Sequence, residues 1–249
     1  MVCAESDEQP PMTQQWLGSF FFGRSVLLYR GQAGDNSQHA HFSIQLSVAQ
    51  TGDLQILDAD GRLHTAPGLI TRPGSRHILQ PAQAVTLVHI EPHLPLANTL
   101  LALAGEAGTS PLPPEITESL RQEVSLNDCL ATLTQLAPPH NPVLDPRIAQ
   151  ALDWLIGSTA SDAVAQAAAI CGVSDSRLRT LARESLGTSL SQWLAWRKLE
   201  ASGRAVMAGA SLAEAAYAGG FADQAHYTRA MRKMFGITPK SASLILRRA

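Results

Sequence analysis

The feature that most restricts this chain is a repeat near its C-terminus, in which the same punctuation returns about 48 residues later. The first copy runs Ala163–Ile170, Cys171-Gly172-Val173-Ser174, Asp175–Ser185 and Leu186-Gly187. The second runs Leu212–Ala218, Gly219-Gly220-Phe221-Ala222, Asp223–Met234 and Phe235-Gly236. Gly172, Val173 and Asp175 align with Gly220, Phe221 and Asp223. Beyond them the offset grows by one, so that Leu178, Arg183 and Leu186-Gly187 align with Tyr227, Arg232 and Phe235-Gly236. The slip predicts one extra residue near the start of the second long helix. Each copy reads as a short helix, a glycine turn and a longer helix. Small residues, Ala165 and Ala169 in one copy and Ala213 and Ala216 in the other, are expected where the helices cross closely. The turn glycines permit positive φ, Val173 and Phe221 plug the corner, and Ser174 or Asp175, and Asp223, cap the next helix. Ser211-Leu212-Ala213-Glu214 is a capping box, and Gly187 and Gly236 end the long helices. A single glycine turn occurs in many helical proteins. Two with matching punctuation specify a duplicated helix-turn-helix.

Charge points to the partner. The net charge is −2, yet residues 1–144 hold 6 Lys+Arg against 13 Asp+Glu, while residues 145–249 hold 13 against 8. Only the basic half suits a polyanion such as double-stranded DNA. In the first long helix Leu178, Leu181 and Ala182 face inward, which leaves Ser176, Arg177, Arg179, Thr180 and Arg183 outward. In the second, Phe221, Tyr227, Ala230 and Met231 face inward, leaving Gln224, Ala225, His226, Arg229, Arg232 and Lys233. Arginine pairs with guanine edges and glutamine with adenine, so Arg179, Thr180, Gln224, His226 and Arg229 are expected at bases. Arg183, Arg232 and Lys233 lie further along and suit phosphates. The connector Ser189–Met207, as a helix, spans about 28 Å, near the roughly 34 Å between successive major grooves. Trp193, Trp196 and Leu199 give it a core-facing side.

The C-terminal hundred or so residues resemble the AraC/XylS family of bacterial transcription regulators. The resemblance is carried by Gly220-Phe221-Ala222-Asp223-Gln224-Ala225-His226-Tyr227-Thr228-Arg229-Ala230-Met231-Arg232-Lys233-Met234-Phe235-Gly236-Ile237-Thr238-Pro239 and by the linking stretch Ser189–Met207. The family often has a bulky or basic residue where Ser176 stands. The resemblance implies two recognition helices in successive major grooves, preceded by a cupin-like sensor domain that binds a small effector, dimerises, or does both. It implies a homodimer modulated by that effector, with a contact to RNA polymerase as a further partner; separately, Cys3, Cys129 and Cys171 form no disulfide framework, which points to the reducing cytoplasm.

The N-terminal half fits that order. Residues 16–90 read as six to eight short strands, a sandwich or small barrel. Phe42, Ile44, Leu46 and Val48 alternate with polar residues as in a half-buried strand. Asp53–Asp58 and Arg62–Ala66 flank Ala59-Asp60-Gly61 as a hairpin. Helices are expected over Leu94–Ala104 and Glu115–Ala137, the latter with an apolar stripe (Ile116, Leu120, Val124, Leu130, Leu133, Leu136) that packs on the barrel or on a second copy. Pro138, Pro139, Pro142 and Pro146 mark a linker. The expected architecture is α+β with two domains: a cupin-like barrel with following helices over 1–137 (barrel about 16–91, helices about 94–137), a linker over 138–146, and an all-α double helix-turn-helix over 147–249.

His39-Ala40-His41, then Gln45, and later Pro73-Gly74-Ser75-Arg76-His77 resemble the two cupin motifs in which two histidines, a glutamate and a third histidine bind a metal. Gln45 stands where the carboxylate belongs. The expectation is therefore no metal or other cofactor, with His39, His41, Gln45 and His77 lining an effector cavity. The same departure counts against a cupin oxygenase or isomerase. Cys3, Cys129 and Cys171 form no CxxC pair or cluster, which counts against a disulfide framework and against a DNA-repair protein of the Ada type. No secretory signal and no run of about 18 apolar residues is read, so neither export nor a membrane is expected.

Overall fold

The computed structural model describes residues 14–23, 25–122, 125–136, 145–156, 158 and 162–246. Its first part is built from β1 (Leu17–Phe22), β2 (Val26–Ala33), β3 (Ile44–Ala49), β4 (Leu54–Asp58), β5 (Leu63–Ala66), β6 (Gly68–Thr71), β7 (His77–Leu79) and β8 (Ala82–Ile90). A later short strand, β9 (Thr109–Pro111), joins them. The order β1-β2-β8-β3-β6-β9 makes one sheet and β5-β4-β7 a second. Tyr29, Leu54, Ile56, Leu69, Leu79 and Leu87, drawn from both sheets, share one core cluster. The β4–β5 hairpin closes where Asp60-Gly61 predicts it. Gly61 has φ 79°, and the Asp58 carboxylate accepts from the amides of Asp60 and Arg62 at 3.0 and 2.9 Å. Three residues ending in proline are too short a signal for β9 to be legible in advance.

Strand β3 differs from its expectation. Every residue of it is buried, on both faces. Ile44, Leu46 and Val48 pack under α1 (Pro95–Ala104), α2 (Pro114–Arg121) and α3 (Leu126–Leu136). The alternating polar residues do not meet water; they form a buried hydrogen-bonded layer between the sheets. The expected helix over Glu115–Ala137 is also two helices. Gln122 is extended at ψ 153°, and a new helix starts where Ser125 and Asp128 cap each other, Asp128 N donating to Ser125 Oγ at 3.2 Å and Ser125 Oγ to Asp128 at 2.8 Å. Val124 of the proposed stripe lies outside the described residues.

The second part is helical: α4 (Pro146–Ile156), α5 (Ala163–Ile170), α6 (Asp175–Leu186), α7 (Leu190–Met207), α8 (Leu212–Ala218), α9 (Gln224–Phe235) and α10 (Pro239–Leu246). Pro146 is the first residue of α4 rather than linker; Pro138, Pro139 and Pro142 lie outside the described residues. Ala165, Ala169 and Ala213 are exposed, and the close helix crossings use Ala167 and Ala168 in one copy and Ala215 and Ala216 in the other. A stretch such as Ala163–Ile170, apolar at every position but Gln166, has no polar face from which to phase a helix. Ser174 and Asp223 occupy the N-caps of α6 and α9, so the extra residue is Ala222, in the turn before the cap rather than in the helix.

The helices do not stand apart from the sheets. Leu27 and Phe42 belong to the same buried cluster as Trp193, Trp196 and Met231, and Ile245 of α10 joins the core between the sheets. Among the described residues no helix is long and apolar enough to cross a membrane.

Candidate nucleic-acid interface and interdomain cavity

Both helix-turn-helix units are held by the devices their sequence contains. Gly172 and Gly220 turn the chain at φ 65° and 69°, and Gly187 and Gly236 end α6 and α9 at φ 64° and 70°. Ser174 Oγ accepts from Arg177 N, and Asp223 Oδ1 accepts from His226 N at 2.6 Å. Leu178, Leu181, Ala182 and Leu186 bury one side of α6, as Tyr227, Met231 and Met234 bury one side of α9.

The remaining faces carry the residues expected to meet DNA. Ser176, Arg177, Arg179, Thr180 and Arg183 are exposed on α6, and Gln224, Ala225, His226, Arg229, Arg232 and Lys233 on α9. Arg177 lies 3.7 Å from Glu184, an exposed pair of little energetic weight. Thr180 Oγ1 donates to Ser176 O at 3.0 Å. The His226 ring meets Phe221 edge-on at 5.2 Å between centroids, which steadies it at the start of α9. Helix α7 contacts both α6 and α9 and, at 18 residues, separates its ends by about 27 Å.

The outer end of α9 is held by the sheets. Ser37 N donates to Gly236 O at 2.9 Å, and Ala40 N donates to Lys233 O at 3.4 Å. A Cβ on Gly236 would sit 2.3 Å from Ser37 O, whereas one on Gly187 would meet nothing within 4 Å. Gly187→Ala is therefore expected to cost only the left-handed conformation, about 1–2 kcal/mol. Gly236→Ala should cost more than that and loosen residues 37–40, so paired thermal melts with Gly236→Ala the more stable would contradict this contact.

An apolar cavity lies between the two parts. Phe20, Phe22 and Leu87 line it from the sheets; Trp196, Tyr227, Met231 and Phe235 line it from α7 and α9. Its polar lining is Asn36, His39, Gln45, His89 and Glu200, with no lysine or arginine among the described lining residues. Of the residues expected at an effector site, His39 and Gln45 border this cavity, while His41 and His77 sit behind it, fully buried. His41 Nδ1 lies 2.8 Å from Ser43 O and Nε2 2.8 Å from Gln45 Oε1; Gln45 Nε2 donates to Ser47 Oγ at 2.8 Å. Burial pushes His39 and His89 down to about 3 and holds His41 and His77 below the usual imidazole range. These rings are neutral near pH 7.

Several residues at this junction have no signal in the sequence. His89 joins the buried layer by a 3.0 Å contact with Ser43 Oγ and packs against Trp196 and Phe235. Glu91, fully buried after β8, pairs with Arg197 of α7 and accepts from Trp193 Nε1 at 3.2 Å. Arg197 also bonds Glu200 at 2.8 Å, and Arg204 reaches both Glu200 (2.8 Å) and Gly23 O (3.0 Å). An acid directly before Pro92 looks like the end of a strand; only its partner on α7 gives it a purpose.

A family model described as a helix-turn-helix domain matches residues 167–243. No curated protein matches the chain. Among solved structures, an apo variant of ToxT from Vibrio cholerae strain SCE256 is 11% identical, with a TM-score of 0.61 over 90% of this chain and 98% of that one. The unsaturated fatty acid-bound wild-type ToxT of that strain is 11% identical, with a TM-score of 0.59 over 91% and 98%. A transcriptional regulator with an AraC-type DNA-binding domain from Chromobacterium violaceum is 24% identical over 41% of this chain and 94% of that one, at a TM-score of 0.37. At 11% identity the ToxT likeness is one of fold, and it embraces both parts of the molecule. Residues 167–243 match a helix-turn-helix domain, carried behind an N-terminal sheet-rich domain in a ToxT-like two-domain architecture.

Proposed function

We propose that the protein is a sequence-specific transcription regulator whose hold on DNA responds to a small apolar molecule bound between its two domains. One observation carries this reading: α9 takes part in both sites. Its outward face presents Gln224, His226, Arg229, Arg232 and Lys233, and its inward face presents Tyr227, Met231 and Phe235 to the cavity. A ligand that shifts α9 against the sheets changes the presentation of those outward groups. Such a ligand alters DNA affinity to the extent that it binds the two arrangements unequally. ToxT, of like fold, has been solved with an unsaturated fatty acid bound. Here the absence of a described cationic lining residue favours a ligand with a large uncharged body.

On this reading α6 and α9 enter successive major grooves. Arg179, Thr180, Gln224, His226 and Arg229 read base edges, while Ser176, Arg177, Ala225, Arg183, Arg232 and Lys233 border the backbone. His39 and Gln45 form the polar edge of the effector site, with His41 and His77 supporting them. The sheet-rich domain and its helices fall within 1–137, their described part being residues 14–136, and the DNA-binding domain begins with α4 at Pro146. The regulator acts in the cytoplasm, as a homodimer and in contact with RNA polymerase.

The test begins with selection of bound sequences from a random duplex library, followed by fluorescence anisotropy on the selected site. Arg229→Ala is expected to weaken binding by about 1–3 kcal/mol, or roughly 5- to 150-fold. Selection of no preferred sequence overturns the function, and undiminished affinity overturns the Arg229 contact. A calorimetric titration with a monounsaturated long-chain alcohol as the uncharged probe should show binding that Met231→Trp, which fills the cavity, abolishes.

A further inference from the structure

Of the polar groups that border the cavity, several are already engaged. The Glu200 carboxylate receives Arg197 and Arg204, each at 2.8 Å. Gln45 Nε2 donates to Ser47 Oγ at 2.8 Å, and His89 Nδ1 lies 3.0 Å from Ser43 Oγ. Asn36 and His39 differ. They crowd the end of α9 together, where a Cβ built on Gly236 would stand 3.1 Å from Asn36 Cβ and 2.8 Å from His39 Nδ1.

Both present acceptors. Asn36 Nδ2 donates to Leu79 O at 2.7 Å and to Gly34 O at 3.3 Å. Those two carbonyls fix the amide, because turning it over would set oxygen against oxygen. Oδ1 is then the other end of the group, and it is buried with no hydrogen bond. His39 Nδ1 lies 3.0 Å from Ser37 O, which only accepts, so Nδ1 carries the proton of the neutral ring and Nε2 a lone pair. Burial pushes this imidazole down to about 3, so a second proton does not fill that lone pair near pH 7.

A ligand head group has to answer this polarity. A carboxylate, ester, ketone or ether brings lone pairs against lone pairs and leaves Oδ1 unsatisfied. An ammonium donates, but the one carboxylate among the described lining residues is already held by two guanidiniums, and an uncompensated charge in an apolar site is costly. A neutral hydroxyl donates a proton and needs no counter-charge.

We propose that the effector bound between the domains is an apolar molecule bearing a hydroxyl, which donates to Asn36 Oδ1, while His39 Nε2 beside it turns away head groups that only accept. This inference rests on the reading that the cavity takes a small apolar effector, and it names that effector's head group. Asn36 directly precedes Ser37, whose amide and hydroxyl both donate to Gly236 O, at 2.9 and 3.2 Å. A hydroxyl seated on Asn36 therefore steadies the segment that anchors the end of α9.

Trp16 and Trp196 border the cavity, so the tryptophan fluorescence of the full-length protein reads its occupancy. The probes are a monounsaturated long-chain alcohol, its methyl ether and the carboxylate of the same chain, titrated at about pH 7. The ether is the more apolar of the first two, and burial alone would make it bind more tightly. The alcohol is expected to bind at least about fivefold more tightly than either of the others. Asn36→Ala should erase the preference for alcohol over ether. Should that variant fail to fold, amide exchange of the wild-type protein gives a second reading: the alcohol slows exchange at Ser37 and in the last turn of α9, and the ether does not. An ether or carboxylate that binds as tightly as the alcohol overturns the hydroxyl and leaves the apolar effector site standing. Binding by none of the three overturns that site and this inference with it. A preference for the alcohol that survives Asn36→Ala, or exchange slowed equally by alcohol and ether, overturns the role of Asn36.

Discussion

Replacing Glu91 with alanine is expected to lower the unfolding free energy by about 3–5 kcal/mol. The carboxylate is fully buried at the end of β8 and faces Arg197 of α7, with Trp193 Nε1 at 3.2 Å and His93 Nδ1 at 3.3 Å. Arg197 is itself mostly covered, its side chain 16% exposed, and its remaining carboxylate partner is Glu200 at 2.8 Å. Removing Glu91 leaves a nearly buried guanidinium with half of its compensation and an indole N–H without an acceptor. The retained Glu200 pair draws the loss toward the lower end of that range. Because the charges belong to different domains, the damage falls on the junction. Urea unfolding followed by tryptophan fluorescence is the measurement. Adding Arg197→Met to Glu91→Ala should restore part of the loss, since the stranded charge is then gone. A Glu91→Ala protein within about 1 kcal/mol of the wild type would show that this ion pair carries no weight.

Trp196→Ala should cost about 3–5 kcal/mol and should act on the same junction by a different force. Trp196 is 4% exposed. Its ring packs at 5.4 Å from Phe42, 5.8 Å from His89 and 5.5 Å from Phe235. One side chain thus touches the segment before β3, the strand β8 and the last residue of α9. Truncation opens a hole that enlarges the cavity and loosens α9 from the sheets. The expected calorimetric trace changes from one cooperative transition to two, the sheet-rich domain and the helical domain melting apart. Trp154→Ala on α4, a partly buried residue at the far edge of the same cluster, should leave a single transition. If Trp196→Ala also melts in one step at nearly the wild-type temperature, the two domains are not joined through this ring.

Where local chemistry decided structure, the chain could be read directly. Positive φ at Gly172, Gly220, Gly187 and Gly236, the capping box at Ser211 and the outward arginines of α6 and α9 all follow from bonds closed within a few residues. Sequence and structure part where a local pattern is degenerate. Alanine-rich α5 offers no polar face, so its sequence points to Ala165 and Ala169 for the crossing, which Ala167 and Ala168 in fact make. The apolar stripe that runs through Ser125 hides the helix restart there, although Ser125 and Asp128 stand at capping distance in the sequence.

The junction was of a different kind. Trp193, Trp196 and Leu199 were legible as a buried side of α7, but apolar burial is non-directional and does not say what covers it. The polar layer behind it was less legible still: Ser43, Gln45 and Ser47 alternate as a solvent-facing row would, and are instead enclosed by the second sheet. The duplicated helix-turn-helix and its exposed basic faces were therefore set by the order of residues alone, since turns, caps and helix faces are short-range. The cavity against α9, the Glu91–Arg197 pair and the gathering of His39, His41 and His77 were set by tertiary structure, because each joins segments far apart in the chain whose meeting depends on how whole sheets and helices pack.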